Sequence, residues 1–517
     1  MRTDRIARSV CLAAALLLLA GCAAQPQQAQ TPVTLDWYIN FSWFNAGWGG
    51  NHVTDTITEE TGVTVDYSIP TGTGSDTLDA MMRRGELPDL ITLGWWEPQV
   101  STLIDGGYVY SLDELAETYD PEFYTVAGAD QLDWYRQPDG YVYGYPSFSA
   151  GVEEQQQAAN MVFVVRKDLY EALGCPDMTT PEGFADTLRR AVEQFPEVNG
   201  LPLIPFGVGE FNEQGNASLT DGLPDFLAIP AQKEGLAYDA VTDPDYQTWL
   251  MTLRELVADG TLTSDFLFDK RQQISENILN GQYFCLLYQW TDAEAELKQL
   301  YQQHPERMYI AVDGPRNAAG DAHTLSGVGM NGWTVTFVSR SCKDPAAAIG
   351  LMHYLLSEEG QDLVRYGREG QDYVRQDGQV VLTDTAAQLF EQDYTAFVQQ
   401  IGANNTYWML QSGTNSIETE ELQQIRDWAT PYTININAYE IAFEPGSRAA
   451  AIDEQAKLLW GQTLPELLLA PDEGTFQTLL QSYLQQRDAL GWAALQQERS
   501  HQMQLNEQKL AQLFQGK

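Results

Sequence analysis

The chain predicts an α/β fold of more than one domain, with mainly parallel sheets flanked by helices and a helix-rich C-terminal part. Three observations carry this expectation. Short β-branched runs alternate with amphipathic stretches, the order that crossover connections between parallel strands require. A chain of 517 residues, 44% of them hydrophobic, can bury more than one core. From Asp344 onward helical spacing of apolar residues dominates.

The elements follow in order. Val33 to Ile39 (VTLDWYI) alternates apolar and polar residues as a half-buried strand does. Thr54 to Glu60 reads as a helix stopped by Gly62, and Val63 to Ile69 as a second strand. Ser75 to Arg84 is helical, Gly85 breaks it, and Pro88-Asp89 leads into the apolar strand Leu90 to Leu93. Ser111 and Glu114 have capping-box spacing for a helix over Leu112 to Tyr119. Met161 to Val165 is a β-branched strand, followed by a short helix, Arg166 to Leu173, closed by Gly174. Thr180-Pro181 places a cap and a first-turn proline at the start of another helix. Tyr246 to Ala258 carries Trp249, Leu250, Leu253, Leu256 and Val257 at helical spacing, which assigns Trp249 to the core. Tyr283 to Tyr288 (YFCLLY) and Met308 to Val312 read as buried strands, with Cys285 in the core. Thr478 to Gln486 is an amphipathic helix with a Gln-rich surface.

The first 22 residues set the address. Arg2, Arg5 and Arg8 precede an apolar run from Cys11 to Ala20. At about 1.5 Å per residue that run covers only about 15 Å, half a hydrocarbon core, so it exports rather than spans. It ends in Leu19-Ala20-Gly21-Cys22, which resembles the lipobox of bacterial lipoproteins. The resemblance implies a signal peptide over 1–21 and acyl chains, palmitate among them, on Cys22. Several chains together make a durable anchor on the outer side of the cell membrane. Residues 22–32, small, polar and proline-containing, read as a tether.

Composition narrows the partners. Removing residues 1–21 leaves 26 basic and 71 acidic residues, a net charge of about −45. That balance argues against nucleic acid and against docking on anionic lipid through protein charge. Cys175, Cys285 and Cys342 remain, an odd number without close spacing, so neither a disulfide framework nor a zinc motif is legible. The five histidines are scattered and no H-E-x-x-H is present. No metal and no cofactor are expected.

Several stretches together carry a second resemblance. Leu78 to Ile91 (LDAMMRRGELPDLI) is similar to the helix–Gly–Pro–Asp–strand segment of extracellular solute-binding proteins of ABC importers. Val164 to Gly174, Tyr246 to Phe266, Tyr366 to Val374 and Leu490-Gly491-Trp492 continue the pattern in the family's order. The likeness is to the large, lipid-anchored, sugar-binding group related to the LplA and LipO lipoproteins. It implies a periplasmic-binding-protein-like fold of two α/β lobes with ligand in the cleft between them. The expected division is 33–150 plus 318–372 for the first lobe and 151–317 plus 373–517 for the second. It further implies a monomeric receptor that hands an oligosaccharide to ABC permease subunits and does no chemistry. Some relatives carry a calcium loop where this chain reads Phe195 to Phe206 (FPEVNGLPLIPF). Glu197 and Asn199 alone supply side-chain oxygens there, whereas calcium takes about 6–8 oxygen ligands. No calcium is expected.

A sugar cleft needs aromatic rings for the apolar faces of pyranoses and polar side chains for their hydroxyls. In parallel α/β folds ligands sit beyond the carboxyl ends of strands. Trp43, Phe44, Asn45 and Trp48 follow the first strand, and Trp95, Trp96 and Glu97 follow the third. Adjacent residues at a strand end point apart, so one of Trp95 and Trp96 is expected in the cleft. Trp290 and Asp292 follow the strand Tyr283 to Tyr288, Tyr143 and Tyr145 lie near the first crossing, and Asn331 and Trp333 near the return. Tyr407 and Trp408 are further candidates.

Three other readings compete: a glycosidase, a receptor for a different solute, and a surface glycan-adhesion module without a transporter. A glycosidase would need two carboxylates about 5–9.5 Å apart, for which Glu97 and Asp292 qualify only by type. A receptor for a different solute, such as a peptide or an anion, would favour clustered Arg at the strand ends. None of the three aromatic loops contains one.

Overall fold

The first strand forms where the VTLDWYI alternation predicts it. In the computed structural model, residues 32–72, 74–149, 158–376, 378–402, 407–411 and 419–515 are described. The lipobox and Cys22 lie outside them. Nine strands build the two large sheets: β1 (Val33–Ile39), β2 (Val63–Ser68), β3 (Leu90–Gly94), β4 (Gly144–Ser147), β5 (Met161–Arg166), β6 (Ile204–Val208), β7 (Tyr283–Gln289), β8 (Tyr309–Ala311) and β9 (Thr334–Val338). The first sheet has the order β2-β1-β3-β9-β4 and the second β8-β5-β7-β6.

Each sheet is mainly unidirectional, with one reversed strand. β1, β2 and β3 run parallel, whereas β9 is antiparallel to both β3 and β4. In the second sheet β7 and β6 are parallel and β5 opposes both β7 and β8. The reversed strands are the two that arrive from the other sheet, β5 after β4 and β9 after β8. A strand entering from the cleft side starts where its neighbours end. The starts of β5 and β9 therefore join the carboxyl ends of the other strands in facing the lobe junction.

Helices begin and stop at the punctuation read in the sequence. α1 (His52–Thr61) is capped by Asn51 and closed by Gly62 in the left-handed region. α2 (Leu112–Tyr119) starts at Ser111, whose hydroxyl accepts from the Glu114 N–H at 3.1 Å. α3 (Ala129–Tyr135) follows in the same lobe. α4 (Pro181–Gln194) starts at Thr180 with Pro at the first turn, and α5 (Pro244–Ala258) at Asp243. Trp249 of α5 is buried, as its spacing predicts, and donates its indole N–H to the Arg316 carbonyl at 2.9 Å. α6 (Trp290–Gln303) leaves the end of β7 directly. α7 (Tyr394–Ile401), α8 (Glu420–Ala429) and three long helices, α9 (Arg448–Leu468), α10 (Glu473–Leu490) and α11 (Trp492–Gln515), complete the helix-rich end.

The cores separate the lobes. Leu35, Trp37 and Ile39 point to one face of the first sheet, and Tyr38, Ile91 and Phe337 to the other. The second sheet buries Phe163, Val165, Phe206 and Leu286 in one cluster that extends to Trp460, Leu464 and Phe476 of α9 and α10. Ala386, Phe390, Phe397, Ile401, Trp408 and Met409 join the first sheet's cluster, although the sequence reading gives 373–517 to the second lobe. Leu325, read as first-lobe, joins the second sheet's cluster. Apolar periodicity says that these side chains are buried without saying against which sheet.

The family-like motifs perform structural work. The Asp89 carboxylate, buried before β3, accepts from the backbone N–H of Asp36 and of Lys343, both at 2.8 Å. Trp37 Nε1 donates to Thr92 Oγ1 at 2.8 Å, and Thr92 Oγ1 meets Thr336 Oγ1 at 2.7 Å, linking β1, β3 and β9 through buried polar atoms. Buried Arg166 forks onto Asp168 at 2.8 and 2.9 Å. Within 195–206, Asn199 and Gly200 form a two-residue hairpin turn with positive φ at both. Asn199 Nδ2 donates to the Asn280 carbonyl at 2.6 Å.

Candidate functional site

The lobe-junction end of the first sheet carries a stack of aromatic rings. Trp43 reaches from the loop after β1, and Trp333 immediately precedes β9. Their rings lie 6.0 Å apart and 13° from parallel. Phe41 stacks on Trp333 at 5.5 Å and on Trp408 at 5.9 Å, and Trp408 on Trp333 at 5.6 Å. Such pairs contribute about 0.5–1.5 kcal/mol each beyond the area they bury. Trp408 is fully buried and forms the base, whereas Trp43 at the top is 47% exposed. Phe148, just past β4, adds its ring at 6.1 Å from Trp333. Its φ of 57° is unusual for a side chain of this size and is held by its N–H on the Leu410 carbonyl at 2.6 Å. Gly332 also has positive φ, 64°, and a Cβ there would stand 2.2 Å from the Ser147 carbonyl oxygen. Glycine at this position lets Trp333 follow β4 at close range.

A second pair of rings stands beside this stack. Trp95 and Trp96 meet edge to face at 6.0 Å, with Trp96 48% exposed and Trp95 half-buried, the split that their adjacency predicts. The Trp96 ring covers Gly94, where a Cβ would come within 2.7 Å of it. The Trp95 N–H points at the Trp333 carbonyl at 3.5 Å, which ties the two aromatic loops together. Glu97 holds the turn. Its Oε1 accepts from the Gly94 N–H at 2.8 Å and its Oε2 from Asn40 Nδ2 at 2.5 Å. Asn40 in turn accepts from the Tyr38 hydroxyl at 2.7 Å. Burial pushes the Glu97 carboxyl up, while those hydrogen bonds act downward.

Asn331 is fixed from the first lobe. Its Oδ1 accepts from Trp134 Nε1 at 2.6 Å, and its carbonyl accepts from the Tyr135 hydroxyl at 2.8 Å. Beside it, burial pushes Glu440 up to about 8, against the downward effect of hydrogen bonds from Asn331.

The second lobe supplies fewer rings and more charge. Trp290, half-buried at the start of α6, donates its indole N–H to the Ala159 carbonyl at 3.2 Å and its backbone N–H to Asn160 at 3.0 Å. It thereby pins the entry to β5. Asp292 pairs with Arg271 at 3.1 Å, and Glu210, past the end of β6, pairs with Lys270 at 2.8 Å. Exposed pairs of this kind contribute about 0–1 kcal/mol. The cations at these strand ends each face a carboxylate, so they do not form the open Arg cluster that an anion would select.

Not every candidate reaches this surface. Phe44 is 3% exposed and packs edge to face on Trp408 at 5.0 Å and on Tyr67 at 5.1 Å. Tyr145 is buried within β4. Tyr143 precedes β4, at the end of that strand away from the junction, and its hydroxyl donates to Asp139 at 2.7 Å. Trp48 leans on α1, with its indole N–H on Thr58 Oγ1 at 2.9 Å. Asn45 is exposed on the loop after β1. Glu97 and Asp292, the pair a glycosidase reading needs, are each already engaged, Glu97 by Gly94 and Asn40 and Asp292 by Arg271. Phe41, Phe148, Asn40 and Trp134 were not singled out in the sequence. Aromatics within two residues of a strand end were the available signal for Phe41 and Phe148.

This geometry agrees with the comparisons. The sequence profile of the bacterial extracellular solute-binding proteins matches residues 52–362, more than half of the chain. The chain belongs to that family. Its members are solute-binding proteins. No curated protein matches the chain. Among solved structures it is similar to the S. pneumoniae ABC-transporter substrate-binding protein FusA in complex with kestose. That likeness has 13% identity, a TM-score of 0.69, and covers 93% of this chain and 100% of the other. A human-milk-oligosaccharide (HMO) binding solute-binding protein from Bifidobacterium longum infantis gives 11% identity and a TM-score of 0.65, over 91% and 98%. The alginate-binding protein AlgQ2, solved without calcium ion, gives 13% and 0.66, over 92% and 98%. At these identities the likeness establishes the two-lobed fold. Among the described residues no helix is long and apolar enough to cross a membrane.

Proposed function

We propose that this solute-binding protein captures a neutral oligosaccharide at the lobe junction and delivers it to the permease of an ABC importer. The observation that carries the reading is the ring stack Trp43–Trp333–Phe41–Trp408, with Trp43 and Trp96 exposed at strand ends of the first sheet. Flat, exposed indoles on a rigid base suit the apolar faces of sugar rings, and Asn331, its amide fixed by Trp134 and Glu440, stands beside them. The self-paired charges of the second lobe favour a neutral ligand over an acidic one. Trp43, Trp96, Trp333, Trp95 and Asn331 are the contact residues in this reading, and Trp290 the contact from the second lobe. Phe44, Tyr145 and Glu97 support them. Ligand touching both lobes favours the closed state by the difference in its affinity for the two forms.

The address remains the lipobox reading. Acylation of Cys22 tethers the receptor to the outer face of the cell membrane as a monomer. Metabolic labelling with a palmitate analogue, lost in Cys22→Ser, tests this.

The binding reading is tested by thermal unfolding of the soluble protein beginning at Ala23, with neutral and acidic oligosaccharides and with short peptides. Ligand at about 100 times its dissociation constant adds about 2.7 kcal/mol to stability. A selective shift with neutral glycans, lost in Trp43→Ala, is the expected result. A shift with peptides and none with any glycan would replace the sugar by another solute.

A further inference from the structure

The long C-terminal helix packs against both lobes. α11 is anchored in the second lobe: Ser500 Oγ accepts from the Ala237 N–H at 2.8 Å, and Arg499 pairs with Asp453 of α9 at 2.5 Å. About two and a half turns further on, roughly 14 Å along the axis, Lys509 leaves that lobe. Its ammonium donates to the carbonyl of Trp134 and stands 4.9 Å from the centre of the Trp134 ring. Trp134 belongs to α3 of the first lobe, and the same residue holds Asn331 through its indole N–H. No carboxylate lies within ion-pair distance of Lys509 among the described residues. Burial holds its ammonium below the usual lysine range. A lysine kept there, with a carbonyl and an indole face as its partners, costs desolvation that a surface position would avoid. Asn506, one turn earlier, donates to the carbonyl of Glu440 at 3.0 Å, and the Glu440 carboxyl accepts from Asn331.

We propose that α11 is an interlobe strap in which Lys509 is a positioning residue: by gripping Trp134 from the second lobe, it fixes the Trp134–Asn331 pair and the relation between the lobes. Asn331 is thus held from both lobes at once, by α3 directly and by α11 through Trp134. The importance of Asn331 for ligand rests on the oligosaccharide reading; the strap itself does not.

The test is native-state hydrogen exchange of the ligand-free protein, comparing Lys509→Met, which keeps the packing on the indole, with Lys509→Arg, which keeps the donor and the charge. Lys509→Met is expected to raise exchange about tenfold in α3 and in 328–333, segments remote in sequence from the substitution. Lys509→Arg is expected to stay near wild type. Changes confined to the last turns of α11 would overturn the proposal. So would a uniform rise over both lobes, which marks global destabilisation, or an arginine variant as loose as the methionine one. Failure of every oligosaccharide to bind would refute the sugar reading and leave this outcome unaffected.

Discussion

Neighbouring residues Trp43 and Phe44 should respond to truncation in opposite ways. Trp43 is 47% exposed, so about half of a ring surface of roughly 150–250 Å² is buried in the folded protein. At about 25 cal/mol per Å² its replacement by Ala costs about 2–3 kcal/mol of stability as an upper bound. Phe44 is 3% exposed against Trp408 and Tyr67, and its loss leaves a cavity, so Phe44→Ala costs about 3–5 kcal/mol. Binding should reverse that order. An aromatic anchor at the centre of a site is worth about 2 kcal/mol or more, hence about a 30-fold rise in Kd for Trp43→Ala. Phe44→Ala, measured where it is fully folded, should change Kd by about threefold or less, because it touches the base of the stack and not the ligand. Calorimetric unfolding and isothermal titration with the selected oligosaccharide read the two quantities separately. Equal losses of affinity in the two variants, or an unchanged Kd in Trp43→Ala, would refute the assignment of the stack as the platform.

Two further predictions concern the return crossing. Burial raises the folded-state pKa of Glu440 from an ordinary 4.5 to about 8, so its contribution to stability is complete below about pH 4.5 and is lost as pH rises towards 8. Wild type should therefore lose unfolding free energy relative to Glu440→Gln over that window, by a few kcal/mol at most, and its Tm should fall with it; parallel Tm curves from pH 4 to 9 would contradict it. Gly332→Ala places a Cβ 2.2 Å from the Ser147 carbonyl oxygen at a φ of 64°, and should cost more than about 1 kcal/mol in denaturant unfolding. An unchanged midpoint would show that the crossing does not need the close approach.

Much of the fold was legible because it is set locally. Gly62 stops its helix because few other residues take the left-handed conformation it adopts, and Thr180-Pro181 starts one. The alternation of VTLDWYI fixed which of its residues would point together. The site was legible only in outline. Trp43, Trp333 and Trp95 were singled out because strand ends are where clefts form, and the same rule swept in Phe44, which turns inward. Tyr143 misled for a topological reason: it stands before its strand, and only the strand's direction in the sheet puts that end away from the junction.

Sequence by itself determined the element order, the export signal and lipobox as readings, the acidic balance, and the family. Each rests on residues close together in the chain or on composition. The tertiary structure decided what depends on distant partners. Trp408 comes under Trp43 and Trp333 from far along the chain, Glu97 is satisfied by Asn40 and Gly94, and Lys509 reaches Trp134 across the lobes. The physical reason is that periodicity and caps act over a few residues. Which rings stack, which carboxylates are already occupied and which strand runs backwards follow from packing between segments that no local pattern encodes.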